Sequence, residues 1–189
     1  MVIASPNGGE APLDPKSVEM SAEDAESQAF LKTHESLWLN TEKLCDCAKR
    51  VNDFDGIYFV GGHGPMWDLF EDSASLEIIQ KLAEKNKIVA AVCHGQAALV
   101  NAKLSDGSYL VDGAEVTAFS NAEEDSIGLT EGMPFLLETE LLKRGANYIK
   151  ADEQWGEKVA IGRDGKLITG QNPASAKGVG NAILKTITE

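Results

Sequence analysis

The sequence predicts an α/β domain whose mostly parallel, doubly wound sheet is sandwiched by helices, and three observations support this fold class. Two short apolar runs, residues 56–62 and 88–92, are typical of strands buried on both faces. A segment with helical spacing of its apolar residues, 73–87, separates them. Glycines follow both runs, where the chain must turn. Strands that alternate with helices in this way form parallel sheets.

The N-terminal part is the least regular. Residues 2–5 have the composition of the end of a strand, and residues 6–15 are rich in proline, glycine and asparagine, which predicts turns. Residues 21–51 are polar and helix-permissive with a broken apolar stripe, so we predict a helical excursion there.

The two buried strands and their helices come next. The strand over 56–62 ends in paired glycines, and the amphipathic helix over 73–87 follows it. The second strand, 88–92, leads directly into a helix that we expect to reach about residue 102.

The C-terminal half adds short strands and two helices. Asp-Gly dipeptides lie between β-rich runs and predict two hairpins, 109–111 with 115–119 and 159–162 with 167–169. The remaining predicted elements are a helix over 134–144 that stops at a glycine, a short strand at 148–149 and a final helix from residue 175.

Length, charge and cysteine content restrict the class of protein. A chain of 189 residues with 43% hydrophobic residues is long enough for one well-packed domain. No run approaches the roughly 20 apolar residues that span a bilayer, and the first residues lack a signal peptide, so we expect a cytoplasmic protein. An odd number of cysteines, three, fits a reducing compartment. The net charge of −13 disfavours nucleic acid and anionic membranes and favours small molecules or proteins as partners.

The start of the chain is unusual for a doubly wound sheet. Such a sheet normally begins with a complete strand and crossover helix, whereas this chain begins almost inside a strand. We therefore expect one strand-helix unit of roughly 30 residues to be absent.

Cys93 lies where the apolar run 88–92 ends and a helix begins, with His94 and Gly95 directly behind it. Open α/β sheets bind ligands at the carboxyl ends of their strands, and the free N–H groups of a new helix favour negative charge. We therefore predict that Cys93 is an exposed nucleophile with a lowered pKa. The alternative is a buried structural thiol, because free cysteine is among the most buried residue types.

His94 needs an orienting partner, because histidine works as an acid or base when its other ring nitrogen is held, usually by a carboxylate. Candidates lie in the acidic segment 120–125, which follows the predicted strand 115–119 and should open on the same edge of the sheet. The alternative for this segment is a solvated turn.

A second candidate motif, Gly61-Gly62-His63-Gly64, follows the first buried strand. Glycines there let the backbone approach a ligand closely and direct N–H groups at it, so we expect Gly62, His63 and Gly95 to bind substrate or its oxyanion. The alternative is a tight turn with His63 on the surface.

Two other motifs are less informative. Cys45-Asp46-Cys47 has no second ligand pair, so we expect no zinc site. Asn172 and Pro173 follow the strand 167–169 and are candidates for lining the pocket, although helix capping alone explains this segment.

Four motifs in this order resemble the DJ-1/PfpI superfamily, in particular its Hsp31-like branch with a class I glutamine-amidotransferase-like fold. They are Gly61-Gly62-His63-Gly64, Ala91-Val92-Cys93-His94-Gly95, residues 118–124 and residues 169–175. The resemblance covers nearly the whole chain and implies a single flavodoxin-like domain over residues 1–189. It also implies that Glu124 is the carboxylate that orients His94, and that the protein is a homodimer.

The Hsp31-like branch is known for glutathione-independent glyoxalase activity, which turns methylglyoxal into D-lactate, alongside reported chaperone and deglycase activities. The resemblance therefore implies a lyase for small 2-oxoaldehydes in which Cys93 adds to the aldehyde carbon. Backbone N–H groups near Gly62 and His94 would hold the oxyanion, and His94, held by Glu124, would move protons between the two carbons. This chemistry needs no cofactor and no metal.

The sequence departs from the family at two places. Gln96 stands where the family usually has proline, which matters little because proline is not obligatory at a helix start. No residue matches the glutamate that the family's first strand-helix unit places beside the cysteine, so we predict impaired catalysis in this form. A longer natural protein, a strand from a partner chain, or a shift of residues 2–5 would each complete the sheet.

Two other functions fit the same residues. A cysteine hydrolase or amidase would use the same set of Cys93, His94 and Glu124. A non-enzymatic stress chaperone or redox sensor would need only the reactivity of Cys93.

Overall fold

The computed structural model describes residues 1–188 and has the predicted α/β fold. Its strands are β1 (Ala4–Ser5), β2 (Glu42–Lys43), β3 (Gly56–Phe59), β4 (Ile88–Val92), β5 (Glu115–Val116), β6 (Asn147–Tyr148), β7 (Val159–Gly162) and β8 (Leu167–Gly170). Its helices are α1 (Pro15–Met20), α2 (Ala25–Thr33), α3 (Ser36–Leu39), α4 (Leu44–Lys49), α5 (Ser73–Glu84), α6 (Ala97–Val100), α7 (Asn121–Ser126), α8 (Leu137–Lys143) and α9 (Ala176–Thr188).

The chain divides into two compact units, residues 1–50 and residues 51 onward. In the first unit, β1 and β2 form a parallel two-stranded sheet with Ala4 opposite Glu42. The helices α2, α3 and α4 occupy the predicted helical excursion, whereas β2 is a strand that the polar sequence there does not indicate. Helix α2 begins after Asp24, whose carboxylate accepts a hydrogen bond from the Ser27 N–H at 3.1 Å.

The second unit contains a four-stranded sheet with the order β3-β4-β8-β7. Strands β3, β4 and β8 are parallel, and β7 pairs antiparallel with β8 as the predicted hairpin. All residues of β4 and β8 are buried, as expected for central parallel strands. Within residues 1–188, no strand pairs with the outer edge of β3. Because β4 is central, the residue after it, Cys93, lies at the carboxyl edge in the middle of the sheet.

Helices cover both faces of this sheet. On one face, Val179 of α9 packs with Ile88 and Ala90 of β4. On the other face, Val89 lines a cavity together with Ala83 of α5. Successive residues of a strand point to opposite faces, so α5 and α9 lie on opposite sides. Among residues 1–188, no helix combines the length and apolar character needed to cross a membrane.

The predicted hairpin of residues 109–111 with 115–119 is wrong. Strand β5 instead pairs in parallel with β6, with Glu115 opposite Asn147. The segment before β5 turns back on itself, and the Ala114 N–H donates to the carbonyl of Val111. Val111 is fully buried, so its apolar character reflects packing rather than strand pairing. An apolar pattern reports burial but does not identify a strand partner that lies far along the chain.

Candidate active site

Cys93 occupies a strained turn at the end of β4. Its backbone φ is +59°, in the left-handed region that costs a non-glycine residue roughly 1–2 kcal/mol. Residues Cys93–Gln96 form a 3-10 turn that continues into α6. This turn packs against β3 so closely that a Cβ on Gly95 would lie 2.5 Å from the Phe59 carbonyl oxygen. Steric packing therefore requires glycine at position 95, and a role for Gly95 in substrate binding stays a prediction.

The glycine loop after β3 holds backbone N–H groups against the sulfur of Cys93. A Cβ on Gly61 would lie 2.9 Å from the Cβ of Cys93, and Gly62 has φ +89°. The loop brings the N–H of Gly62 to the sulfur, to which the N–H of His94 also donates. Two converging N–H groups are the kind of donor pair that stabilises an oxyanion formed beside the sulfur.

The acidic segment 120–125 is not a solvated turn, because it forms the short helix α7. Ser120 caps this helix: its hydroxyl accepts from the Glu123 N–H at 3.2 Å, and the Glu123 carboxylate accepts from the Ser120 N–H at 2.9 Å. Glu123 and Glu124 are both buried. The Ser-x-x-Glu spacing at 120–123 is the sequence signal that indicates this helix start.

His94 connects Cys93 to Glu124. Its Nδ1 lies 3.4 Å from the Cys93 sulfur, and its Nε2 lies 2.6 Å from Oε2 of Glu124. A carboxylate only accepts hydrogen bonds, so Nε2 carries the proton and Nδ1 offers its lone pair to the thiol. The structure therefore brings the three predicted residues into one chain of contacts, in which a base can activate a nucleophile and a carboxylate can orient the base.

The thiol of Cys93 is neutral at rest, which corrects the expectation of an exposed thiol with a lowered pKa. Cys93 is only 7% exposed, and burial raises its pKa to about 12 despite the opposing N–H groups of His94 and Gly62. The carboxylates of Glu123 and Glu124 add to the increase. Burial also lowers the pKa of His94, so its imidazole is neutral near pH 7. Proton transfer from the sulfur to Nδ1 must therefore accompany attack on a substrate.

His63 is a second histidine on the same carboxylate. Its Nε2 lies 3.0 Å from Oε1 of Glu124, and its ring centroid is 4.0 Å from that of His94. The His63 side chain is 31% exposed, whereas that of His94 is 1% exposed. The expected position of His63 beside the site agrees with this geometry, but nothing in the sequence indicates that it shares Glu124.

The Phe119 ring, which the sequence did not indicate as part of the site, lies against both histidines. The Phe119 ring lies 4.3 Å from the His94 ring, and Trp155 contacts Phe119 edge-on with 5.5 Å between centroids. Phe119 helps to keep water away from His94, which is 1% exposed, and a hydrogen bond such as that from His94 to Glu124 is stronger where water is excluded.

Asn172 is buried and hydrogen-bonds the segment that carries Glu124, while its role in lining the pocket stays a prediction. Its side chain is fully buried, and its Nδ2 donates to the Glu123 carboxylate and to a backbone carbonyl, each at 2.8 Å. Gln171 donates to the same carboxylate oxygen at 3.0 Å. These bonds hold Glu123 and, through it, the helix that carries Glu124. Pro173 is exposed, and its predicted role stays a prediction.

Gln96 is a buried polar residue whose importance the sequence did not indicate. Its Nε2 donates to the carbonyls of Thr117 and Gly170, each at 2.8 Å. Gly170 ends β8 and Thr117 follows β5, so this one side chain ties three chain segments together beside Cys93. Proline at this position could not make these bonds.

His63, His94 and Glu124 are also the residues that could hold a divalent metal ion. One ligand atom from each lies within 4.8 Å of the others. Two histidines and one carboxylate are a common ligand set for zinc or iron. In this structure Nε2 of each histidine is hydrogen-bonded to Glu124. A metal bound there would displace the Nε2 proton of His94, which connects Cys93 to Glu124 through the imidazole.

Comparison with known proteins identifies a family and relatives. The model of the DJ-1/PfpI family matches residues 34–186. The probable glutathione-independent glyoxalase hsp3103 of Schizosaccharomyces pombe is 34% identical over 141 residues, which are 71% of this chain and 53% of that protein. The chain therefore spans about half the length of this relative.

Solved structures are similar over most of the chain. The Rapid Encystment Protein 24 KDa of Francisella tularensis superposes with a TM-score of 0.90 at 38% identity, covering 98% of this chain and 80% of that chain. Glyoxalase III of Candida albicans superposes with a TM-score of 0.83 at 26% identity, covering 92% of this chain and 75% of that chain. These similarities confirm the predicted flavodoxin-like α/β fold.

Proposed function

The chain belongs to the DJ-1/PfpI family, and we propose that it is a glutathione-independent glyoxalase that converts methylglyoxal and related 2-oxoaldehydes to D-lactate and its analogues. The observation that carries this proposal is the series of contacts from Cys93 through His94 to Glu124. The names of the S. pombe relative and the C. albicans structure support the choice of substrate. The family match crosses the boundary near residue 50, so we also propose that both compact units belong to one DJ-1/PfpI-like domain.

Attack on the aldehyde begins from the neutral thiol. His94 Nδ1 takes the thiol proton as the sulfur of Cys93 bonds to the aldehyde carbon, C1, and the proton passes to the C1 oxygen. The N–H groups of Gly62 and His94, which point at the sulfur, stabilise the negative charge on that oxygen. Glu124 stabilises the imidazolium that forms transiently. The product of this step is a hemithioacetal.

Isomerisation removes a hydrogen from C1 and adds a hydrogen to C2. Removal of the C1 proton gives an enediol, and protonation of C2 gives a lactoyl thioester on Cys93. Water then hydrolyses the thioester and releases lactate and the free thiol. C1 is oxidised and C2 is reduced by the same two electrons, so the reaction needs no external oxidant or reductant.

A redox-sensor function is disfavoured by the state of the thiol. A cysteine is oxidised easily when it is ionised and exposed. Because Cys93 is buried, its thiol is protonated at neutral pH and inaccessible to solvent. A cysteine hydrolase would form the same kind of thioester with the same residues. The two functions therefore differ in the substrate that the protein accepts.

The test is turnover of methylglyoxal without glutathione, with the lactate enantiomer measured by a D-lactate-specific enzyme. We expect D-lactate, and loss of it in His94→Ala. A panel of amides and peptides is offered in parallel, and turnover of these with none of methylglyoxal would replace the proposal by the hydrolase function. Suppression of client aggregation that survives in His94→Ala, without lactate formation by the unsubstituted protein, would identify a chaperone instead.

We further propose that the protein is cytoplasmic and forms a homodimer. Its three cysteines are free thiols, which supports a reducing compartment. Within residues 1–188 the outer edge of β3 is unpaired, and an unpaired edge favours association. Light scattering on the purified protein measures its mass, and a monomer across the micromolar range would contradict the dimer.

A further inference from the structure

The second histidine of the site, His63, has the geometry of a reacting group. We propose that His63 is a catalytic acid that delivers the proton received by C2, while His94 acts at C1. This inference rests on the proposed glyoxalase function and assigns its two proton transfers to two different side chains.

Glu124 holds both histidines in the same tautomer. Its Oε1 and Oε2 contact Nε2 of His63 and Nε2 of His94 respectively, at 3.0 and 2.6 Å. Because a carboxylate only accepts hydrogen bonds, both Nε2 atoms carry protons and both Nδ1 atoms are free to exchange a proton. The Nδ1 of His94 contacts the sulfur of Cys93. The Nδ1 of His63 forms no hydrogen bond within residues 1–188, so it can take a proton from water, and the resulting imidazolium can deliver that proton to a substrate.

The two histidines differ in access to solvent. His94 is 1% exposed and packed against Phe119, so a proton that it removes from C1 cannot exchange freely with water. His63 is 31% exposed and can be reprotonated from solvent in each cycle. A solvent-linked acid beside a secluded base suits a reaction in which one carbon loses a proton and its neighbour gains one.

His63 also lies close to where the substrate must be bound. It directly follows Gly62, whose N–H donates to the sulfur of Cys93. Its ring centroid is 4.0 Å from that of His94, which itself contacts the sulfur. In the proposed intermediate C1 is bonded to the sulfur and C2 to C1, so the two imidazoles would act on adjacent carbons of one bound molecule.

The proton movements balance. His94 carries the C1 proton to the C2 oxygen, and the electron pair of the C1–H bond forms the C1=C2 bond of the enediol. His94 then accepts the hydroxyl proton of the C1 oxygen as the thioester carbonyl forms, and His63 protonates C2. Water restores the proton of His63, and the hydroxide that remains attacks the thioester carbonyl. The C1–S bond then breaks, and His94 returns its proton to the sulfur.

Methylglyoxal deuterated at C1 tests this assignment in ordinary water. With two groups, the deuterium passes to the C2 oxygen and is lost, so less than about a tenth of the lactate carries deuterium at C2. If His94 performed both transfers, it would deliver the deuterium to C2, because its burial prevents exchange with water. Lactate that retains most of the deuterium at C2 would therefore overturn the proposal.

The variant His63→Gln supplies a second measurement. Glutamine keeps an N–H donor for Glu124 but cannot transfer a proton, and we expect kcat to fall about 100-fold, within the usual range for loss of a general acid. In this variant the enediol should still form and revert to methylglyoxal. The ratio of C1 deuterium loss from methylglyoxal to lactate formation should therefore be higher than in the unsubstituted protein. His34→Gln, which changes an exposed histidine in the first unit, is the matched control and should behave as the unsubstituted protein.

The outcomes separate this proposal from the function on which it rests. An unchanged kcat in His63→Gln would overturn the role of His63, and so would an equal decrease in the rates of C1 deuterium exchange and lactate formation. Either result would leave the proposed glyoxalase function intact. No lactate from the unsubstituted protein would overturn both.

Discussion

Replacing Glu124 with glutamine would change the hydrogen bonding of both histidines while keeping the size of the side chain. The carboxylate accepts from Nε2 of His94 at 2.6 Å and from Nε2 of His63 at 3.0 Å. An amide has one acceptor oxygen and a donating NH₂ group, so it can satisfy only one histidine in its present tautomer. The other histidine must move its proton to Nδ1 or lose the bond.

The expected loss follows from the two orientations of the amide. If the NH₂ group faces His94, its proton moves to Nδ1, where it points at the sulfur of Cys93 and removes the base. The corresponding acid-to-amide exchange in a hydrolase triad costs about 10⁴-fold in kcat through the wrong tautomer. If the oxygen faces His94, the base remains but a charged acceptor is replaced by a neutral one, at about 1–2 kcal/mol or roughly tenfold. We therefore expect Glu124→Gln to lower kcat by about 10–10⁴-fold, depending on how the amide is oriented, which is about 1–5 kcal/mol of transition-state stabilisation.

The assay is D-lactate formation from methylglyoxal, measured together with thermal unfolding of the same preparation. Glu124→Gln should unfold within a few degrees of the unsubstituted protein, because no cavity is created and the lost bonds are worth about 1–2 kcal/mol. Asp125→Asn is the matched control: it makes the same chemical change at the next residue, which is exposed, and should leave kcat unchanged. A folded Glu124→Gln protein that keeps kcat near that of Asp125→Asn would refute the role of Glu124.

Three further predictions concern the thiol, the base and the turn between them. At pH 8, iodoacetamide should label exposed Cys45 well before Cys93, because burial raises the pKa of Cys93 to about 12; peptide mass spectrometry shows the order, and early labelling of Cys93 would contradict the neutral thiol. Because burial lowers the pKa of His94 in the substrate-free protein, the acid limb of kcat/KM should lie below the ordinary histidine pKa of about 6.5; an acid limb centred above that value would contradict this. Gly95→Ala should lower the free energy of unfolding by about 1–3 kcal/mol, since its Cβ would lie 2.5 Å from a β3 carbonyl oxygen, whereas a Cβ on Gly64 meets nothing within 4 Å; equal denaturation midpoints for Gly95→Ala and Gly64→Ala would refute the packing argument.

Local patterns were sufficient to predict the central strand and the residue displayed at its end. The apolar run before Cys93 is continuous because β4 is buried on both faces, and this pattern needs no knowledge of distant partners. The hairpin of β7 with β8 was also predictable from local sequence, because the turn that joins the two strands lies directly between them. The strand pairing of β5 was mispredicted, because its partner β6 is about thirty residues away and leaves no local mark.

The protonation state of the site could not be predicted from local patterns. The seclusion of Cys93 and the sharing of Glu124 by His63 and His94 depend on segments that meet only in the folded chain. Sequence position indicated a thiolate at a helix start, but desolvation of the buried sulfur outweighs the effect of nearby N–H groups. The capping box of Ser120 was, by contrast, a local signal for the helix that carries Glu124.

The central claim is that the sulfur of Cys93 forms the covalent bond to the substrate, and its most direct test is turnover by Cys93→Ala, with Cys45→Ala as the control for loss of a thiol elsewhere. We expect Cys93→Ala to form no D-lactate from methylglyoxal above the rate without protein, while Cys45→Ala retains full activity. D-lactate formation by folded Cys93→Ala at the rate of the control would contradict it.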